Sequence, residues 1–236
     1  IRQVHQAGIQ VVMITGDNKE TAEAIAREIG LIKGPNDRAV LTSGELKKMS
    51  DSQLKQRLPD LRVVARAVPA DKSRLVAAAQ ELGLVAGMTG DGINDAPALK
   101  KADVGFSMGS GTEVAKEASD IVILDDDFSS ISQAVLYGRT IFKSIRKFIV
   151  FQLTINVCAV GISIIGPFIG VASPITVVQM LWVNMVMDTL AGLAFAGEAP
   201  LKEYMQEPPK RRDEPIINKY MYNQILVAGL YITALC

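Results

Sequence analysis

The chain has no net charge. Its 25 basic residues balance 25 acidic ones, so nothing in the composition calls for a nucleic-acid partner. Cysteine is scarce: Cys158 and Cys236 lie far apart in apolar sequence, which argues against a disulfide framework and a zinc site alike. No signal-like segment opens the sequence. It begins at Ile1 and stops at Cys236 inside an apolar run, so it reads as a piece of something longer. Charge is also missing locally. Residues 148–171 carry none, and residues 175–197 carry only Asp188. Each stretch is long enough for the hydrocarbon core of a bilayer, which takes about 20 helical residues. These two stretches hold much of the excess behind a hydrophobic content of 49% and a positive mean hydropathy.

What is present divides the chain in two. Residues 1–128 alternate short β-rich runs with helical stretches, the pattern of a parallel sheet covered on both faces with ligands at the carboxyl ends of its strands. Strands are expected at 10–15, 61–65, 84–88, 103–107 and 121–124. Helices are expected at 18–29, 71–82 and 96–102. In the first helix Ala22, Ile25, Ala26 and Ile29 share one face, and Gly30 is a stop. Residues 34–59 interrupt this rhythm and, being polar and Lys-rich, read as a peripheral insertion. A basic helix at 129–147 then leads into the first span, 148–171. A short turn with Gly166-Pro167 and Ser173-Pro174 precedes the second span, 175–197. A loop at 198–221 leads to the start of a third span at 222–236. Arg146 and Lys147 precede the pair, and Lys202, Lys210, Arg211 and Lys219 follow it. Both outer ends are therefore expected in the cytoplasm and the short turn outside. Two buried helices of a soluble protein are the plainer alternative, which the length and flanking charge disfavour.

The chemistry concentrates in T-G-D-G-I-N-D-A-P-A-L at 89–99. Asp91 and Asp95 lie four apart in a Gly-rich turn after a strand, a setting that suits a hard cation held against a phosphate, because Mg²⁺ prefers one or two carboxylates plus phosphate oxygens. Asp-Gly by itself is an ordinary surface turn. Two further segments belong with it. In Thr15-Gly16-Asp17 a hydroxyl and the amides beyond it face a helix N-terminus, where phosphate binds, although such a turn can also be a simple cap. Lys72, in the first turn of its helix, can place a compact positive charge on a phosphoryl group, although a lone lysine is usually just solvated. Within the second span Asn184 and Asp188 share a helix face, and Asn156 lies near the middle of the first. A carboxylate at mid-bilayer depth costs about 2.5–3.5 kcal/mol on the insertion scale and marks ion paths. Oxygen donors of this kind suit Ca²⁺. An amide such as Asn156 also serves as an interhelical hydrogen-bond partner.

These residues, with G-T-E-V-A at 111–115 and A-S-D-I at 118–121, resemble the haloacid-dehalogenase-like phosphorylation domain of P-type ATPases, a Rossmann-like α/β fold, here followed by an α-helical transmembrane hairpin. The resemblance covers residues 11 to about 221. It implies that Thr15 and Lys72 contact the phosphoryl group and that Asp91 binds Mg²⁺. Asn94 and Asp95 then shape the site near the metal, and Gly16 and Asp17 complete the phosphate-side signature. It implies ATP, bound mainly by other parts of such a pump, and an integral multi-pass protein with a cytoplasmic phosphorylation domain. The segment L-W-V-N-M-V-M-D-T-L at 181–190 is similar to the sixth membrane helix of calcium pumps, with Asn156, Asn184 and Asp188 as Ca²⁺ ligands. Ala159 and Met187 stand where two-site calcium pumps carry Glu and Thr, so the pattern matches the plasma-membrane type with one Ca²⁺ site and a place in the cell membrane. One element departs from the family. No D-K-T-G-T occurs, so the phosphorylated aspartate is absent, and this chain alone is expected not to hydrolyse ATP. A pump for Mn²⁺ or Na⁺, a soluble phosphatase of the same fold, and a non-catalytic membrane anchor are the competing readings.

Overall fold

A computed structural model describes residues 1–34, 38–171 and 174–236; the expected turn residue Ser173 and part of the 34–59 segment lie outside them. The described chain divides into two compact units, residues 1–135 with 202–214, and residues 136–201 with 215–236.

The first unit is an α/β structure with two three-stranded parallel sheets rather than one continuous sheet. In the first, β1 (Met13–Ile14), β2 (Val40–Thr42) and β3 (Val63–Ala65) stand in the order β1-β3-β2. The central strand is fully buried, and successive side chains point to opposite faces, as strand geometry requires. Val63 and Ala65 pack with Ala22 and Ala26 of α2 (Lys19–Glu28), while Val64 packs with Leu41, Leu46, Leu54 and Leu75. Ile25 and Ile29, expected on the buried face of α2, are 38% and 44% exposed, because the helix lies on β2 and β3 through its alanines.

The 34–59 segment is not peripheral. It supplies β2 and the helices α3 (Ser43–Lys48) and α4 (Asp51–Arg57), whose Leu46 and Leu54 are fully buried. Thr42 and Glu45 form a reciprocal cap at the start of α3. The Thr42 backbone N–H, together with its hydroxyl, holds the Glu45 carboxyl below its ordinary range. The polar and basic residues that suggested an insertion occupy the outward faces of these short helices.

The second sheet has the order β4-β5-β6, from Gly87–Gly90, Val104–Met108 and Ile121–Ile123. β4 runs later than the expected 84–88, since its ladder with β5 pairs Gly87 with Val104 and Gly90 with Ser107. Leu84 and Val85 fall outside it and are 50% and 57% exposed. Among the described residues β1 pairs only with β3, and β4 only with β5. β1 is also only half buried. β1 and β4 are therefore edge strands of their sheets, as β2 and β6 are on the opposite sides. Between the sheets in sequence runs α5 (Pro69–Glu81). Pro69 occupies its first turn, and Asp71 accepts from the Val68 N–H at 3.0 Å. Residues 202–214 fold against this unit, where Tyr204 is buried and Arg212 pairs with Asp103 at 2.9 Å.

Three helices dominate the second unit. α8 (Phe128–Ile165) begins in the first unit by sequence and runs unbroken for 38 residues. α9 (Val177–Ala196) and α10 (Lys219–Leu235) follow; α6 (Ala96–Lys101) and α7 (Glu113–Ala118) belong to the second sheet. α8 and α9 run antiparallel. Phe148 and Phe151 meet Phe195 edge to face, and Lys147 pairs with Glu198 at 2.7 Å. α10 crosses α8 closely, with Gly229 against Val157 and Gly161 against Thr233. By length and composition, residues 128–169 and α9 are long and apolar enough to cross a membrane. None of α9 is buried, and Leu181, Trp182 and Leu193 are more than half exposed, as a lipid-facing or helix-facing surface would be.

Candidate functional site

The Asp91 turn is built around Asp95. After β4 the chain enters a short 3-10 turn, Ile93–Asp95, and then α6. Asp95 is buried, and its Oδ2 accepts from the backbone N–H groups of Asp91 and Gly92 at 3.3 and 3.2 Å. Its other oxygen, Oδ1, forms an ion pair with Lys72 Nζ from the first turn of α5. A Cβ on Gly90 would overlap the Asp95 side chain, so only glycine lets the carboxylate lie this close under the strand end. One buried carboxylate thus folds the turn and fixes the lysine. Asp91 and Asn94 are left exposed.

Thr15, Gly16 and Asp17 follow β1. Thr15 Oγ1 donates to Asp17 Oδ2 at 2.8 Å and accepts from the Asp17 N–H at 3.1 Å. The turn is tied to the segment before α5, where the Ala67 N–H donates to the Thr15 carbonyl at 2.9 Å and the Arg66 N–H to that of Asp17 at 2.8 Å. Arg66 takes a left-handed conformation, φ 52°, to make this bond. Asn18 then caps α2, accepting from the Thr21 N–H at 2.8 Å. The structure therefore brings Lys72, Asp91 and Asp95 together directly. It connects Thr15 and Asp17 to them only through the backbone leading into α5. No direct bond joins Thr15 to Lys72 among the described residues.

The donor set fits Mg²⁺. Asp91 offers an exposed hard carboxylate, whereas both Asp95 oxygens are engaged by Lys72 and the loop amides. Among the described residues no three His, Cys, Asp or Glu side chains gather as a ready-made cage. Mg²⁺ does not require one, because it keeps waters and takes phosphate oxygens beside one or two carboxylates.

In the helical unit the Phe151–Phe195 contact sets the relative depth of α8 and α9. Asn156 lies five residues further along α8, and Asp188 seven residues earlier on α9. At about 1.5 Å per residue, near-antiparallel helices place the two within about 3 Å of the same depth. Asn184 is one further turn along, on the Asp188 face. Asn184 and Asn156 are half-buried and Asp188 is exposed; none of the three bonds to another among the described residues.

Comparison with known proteins turns this geometry into a family. A family model described as haloacid dehalogenase-like hydrolase matches residues 1–103, and a second with the same description matches 87–135. "Cation transporting ATPase, C-terminus" matches residues 172–236. Calcium-transporting ATPase 5, plasma membrane-type, of Oryza sativa subsp. japonica is 44% identical over 98% of this chain. Plasma membrane calcium-transporting ATPase 3 of Homo sapiens is 46% identical over 100% of it. The chain belongs to the P-type cation-transporting ATPases. It spans about a fifth of the length of these relatives, 22% and 20% respectively. A solved zinc-transporting PIB-type ATPase in an E2.Pi state shares the fold, with a TM-score of 0.55 and 26% identity over 88% of this chain and 27% of that one.

Reading the sequence for reactive side chains assigns no role to residues 109–112 of this P-type ATPase domain, although Gly111 and Thr112 open the G-T-E-V-A run. In the run Gly109-Ser110-Gly111-Thr112, Gly111 and Thr112 lie against the main chain of Asp91, while Gly109 and Ser110 are bonded to Ile123 and Asp126. The two glycines are the signal that points there.

Proposed function

We propose that this chain supplies one half of the phosphoryl-transfer site, and part of the ion path, of a pump that moves Ca²⁺ across the cell membrane through an aspartyl phosphate. The observation that carries the reading is the Lys72–Asp95 pair beneath the exposed Asp91. A fixed cation and a metal-ready carboxylate stand at the end of β4, an edge strand of the second sheet. The attacking aspartate belongs to a strand outside this chain, and the sides of β1 and β4 that pair with no strand among the described residues suit the insertion of such a strand.

In that reading a carboxylate oxygen of that aspartate attacks the γ-phosphorus of ATP, the bond to the β-phosphate oxygen breaks, and ADP leaves. Lys72 neutralises charge on the transferring oxygens, and Asp95 keeps its ammonium aimed there. The Thr15 hydroxyl exchanges Asp17 for a phosphoryl oxygen, and the amides at the start of α2 add donors. Asp91 would hold Mg²⁺, which supplies further neutralisation of phosphate charge. Asn94 orients groups at the turn. Water later attacks the phosphorus of this acyl phosphate, the bond to the aspartate oxygen breaks, and inorganic phosphate leaves with the carboxylate restored. Asn156, Asn184 and Asp188 provide oxygens for one Ca²⁺, the stoichiometry suggested by Ala159 and Met187. Naming of the relatives as calcium-transporting supports Ca²⁺ over Mn²⁺ or Na⁺. The exposed apolar surface of α9 counts against a soluble phosphatase.

The first test compares this chain with the complete pump. We predict that the isolated chain takes up no phosphoryl group from γ-labelled ATP with Mg²⁺ and Ca²⁺, while the complete pump forms an acid-stable phosphoenzyme only when Ca²⁺ is present. Labelling of the isolated chain, or labelling of the complete pump driven by Mn²⁺ or Na⁺ instead, would count against the assignment.

A further inference from the structure

Among the described residues no side chain bonds the Asp91 carboxylate, yet its backbone is gripped from outside the turn. The Thr112 N–H donates to the Asp91 carbonyl at 2.8 Å. Gly111 lies so close that a Cβ there would stand 3.0 Å from the Asp91 carbonyl oxygen, 3.2 Å from its Cα and 3.0 Å from the Met108 carbonyl oxygen. All three atoms are main-chain, so none can swing aside as a side-chain end would. The other end of the same segment is anchored as firmly. The Gly109 N–H donates to the Ile123 carbonyl at 2.7 Å, and a Cβ on Gly109 would stand 2.9 Å from the Leu124 carbonyl oxygen. The Ser110 N–H donates to Asp126 Oδ1 at 3.1 Å, from a residue itself held at φ 54°. The bonds from Ser110 hold the Asp126 carboxyl below its usual range, as expected for a carboxylate kept charged by its donors.

We propose that residues 109–112 are a positioning brace for Asp91, spanning from the turn just before α8 to the metal-binding turn, with Gly111 as the residue that sets the spacing. The inference rests on the reading of Asp91 as the Mg²⁺ carboxylate. The brace makes no contact with phosphate. It acts by fixing the main chain from which the carboxylate hangs, in the way that outer partners orient metal ligands. A methyl at Gly111 pushes Asp91 by a few tenths of an ångström at constant chemistry. Thr112 has a separate local duty, since its hydroxyl accepts from the Ala115 N–H at 3.3 Å and caps α7.

The test is a Mg²⁺ titration of phosphoenzyme formation by the complete pump at saturating Ca²⁺, paired with a Ca²⁺ titration at saturating Mg²⁺. For Gly111→Ala the brace predicts a half-saturating Mg²⁺ concentration raised about tenfold, the low end for loss of a metal's outer support, with the Ca²⁺ half-saturation unchanged. Asp126→Asn keeps the shape and weakens only the outer anchor, so it predicts a smaller rise in the same direction. It decides the matter if Gly111→Ala does not fold. A wild-type Mg²⁺ curve for whichever variant folds would overturn the brace, as would equal shifts in both titrations, which signify a general loss of structure. Asp91→Asn separates the two levels. If it too leaves the Mg²⁺ curve unchanged, the Mg²⁺ reading of Asp91 fails. If it shifts the curve while Gly111→Ala and Asp126→Asn do not, only the brace fails.

Discussion

Asp95 uses both of its oxygens inside the protein, one on Lys72 and the other on two backbone amides, and it does so with its side chain only 8% exposed. Such a pair is costly to break from one side, because the ammonium that remains is left without its partner. We predict that Asp95→Asn destabilises the first unit by about 3 kcal/mol, the lower end for a buried pair because the Lys72 side chain keeps 19% exposure. Thermal unfolding followed by near-ultraviolet circular dichroism would show it, and an unchanged midpoint would mean the pair is not formed in solution. The candidate residues of this site are visible in the sequence because their types and short spacing announce them: two acids four apart after a strand, and a lysine opening a helix. The brace at 109–112 is not visible in that way. Its contribution is an N–H and the absence of a Cβ, which no side-chain chemistry advertises.

At the scale of elements, the strand–helix rhythm around β1, β3, β5 and β6 follows from short apolar runs and clear caps. β2 escapes such reading because it lies in a polar stretch and is followed at once by α3, whose Lys47 and Lys48 are exposed. Its neighbours nevertheless carry the core, since Leu46 and Leu54 are fully buried against Val64 and Leu75. We predict that Leu54→Ala costs about 2–5 kcal/mol, the usual range for a leucine removed from a close-packed interior. Chemical denaturation of the protein would read it directly. A change below about 1 kcal/mol, typical of surface substitutions, would restore residues 34–59 to the periphery. The split into two sheets was equally hidden, because pairing partners cannot be read from runs of valine and isoleucine. Only the ladder shows that nothing in the described chain bonds β1 to β4.

For the whole molecule, the absence of charge in residues 148–171 and its near absence in 175–197 makes the apolar helices plain, and the structure leaves their surfaces uncovered. The return of residues 202–214 to the α/β unit is not predictable from composition, because it is made by specific contacts such as the Arg212–Asp103 ion pair, the burial of Tyr204 and Pro209 against Gly8. The proposed coupling of a phosphoryl site to an ion path depends most on Asp188 as a Ca²⁺ ligand. The most direct measurement is Ca²⁺-dependent phosphorylation of the complete pump by ATP, wild type against Asp188→Asn, with phosphorylation by inorganic phosphate as the control for an intact site. We predict that Asp188→Asn abolishes labelling from ATP at Ca²⁺ concentrations that saturate the wild type, while labelling from phosphate persists. Unchanged Ca²⁺ dependence in Asp188→Asn would contradict the account.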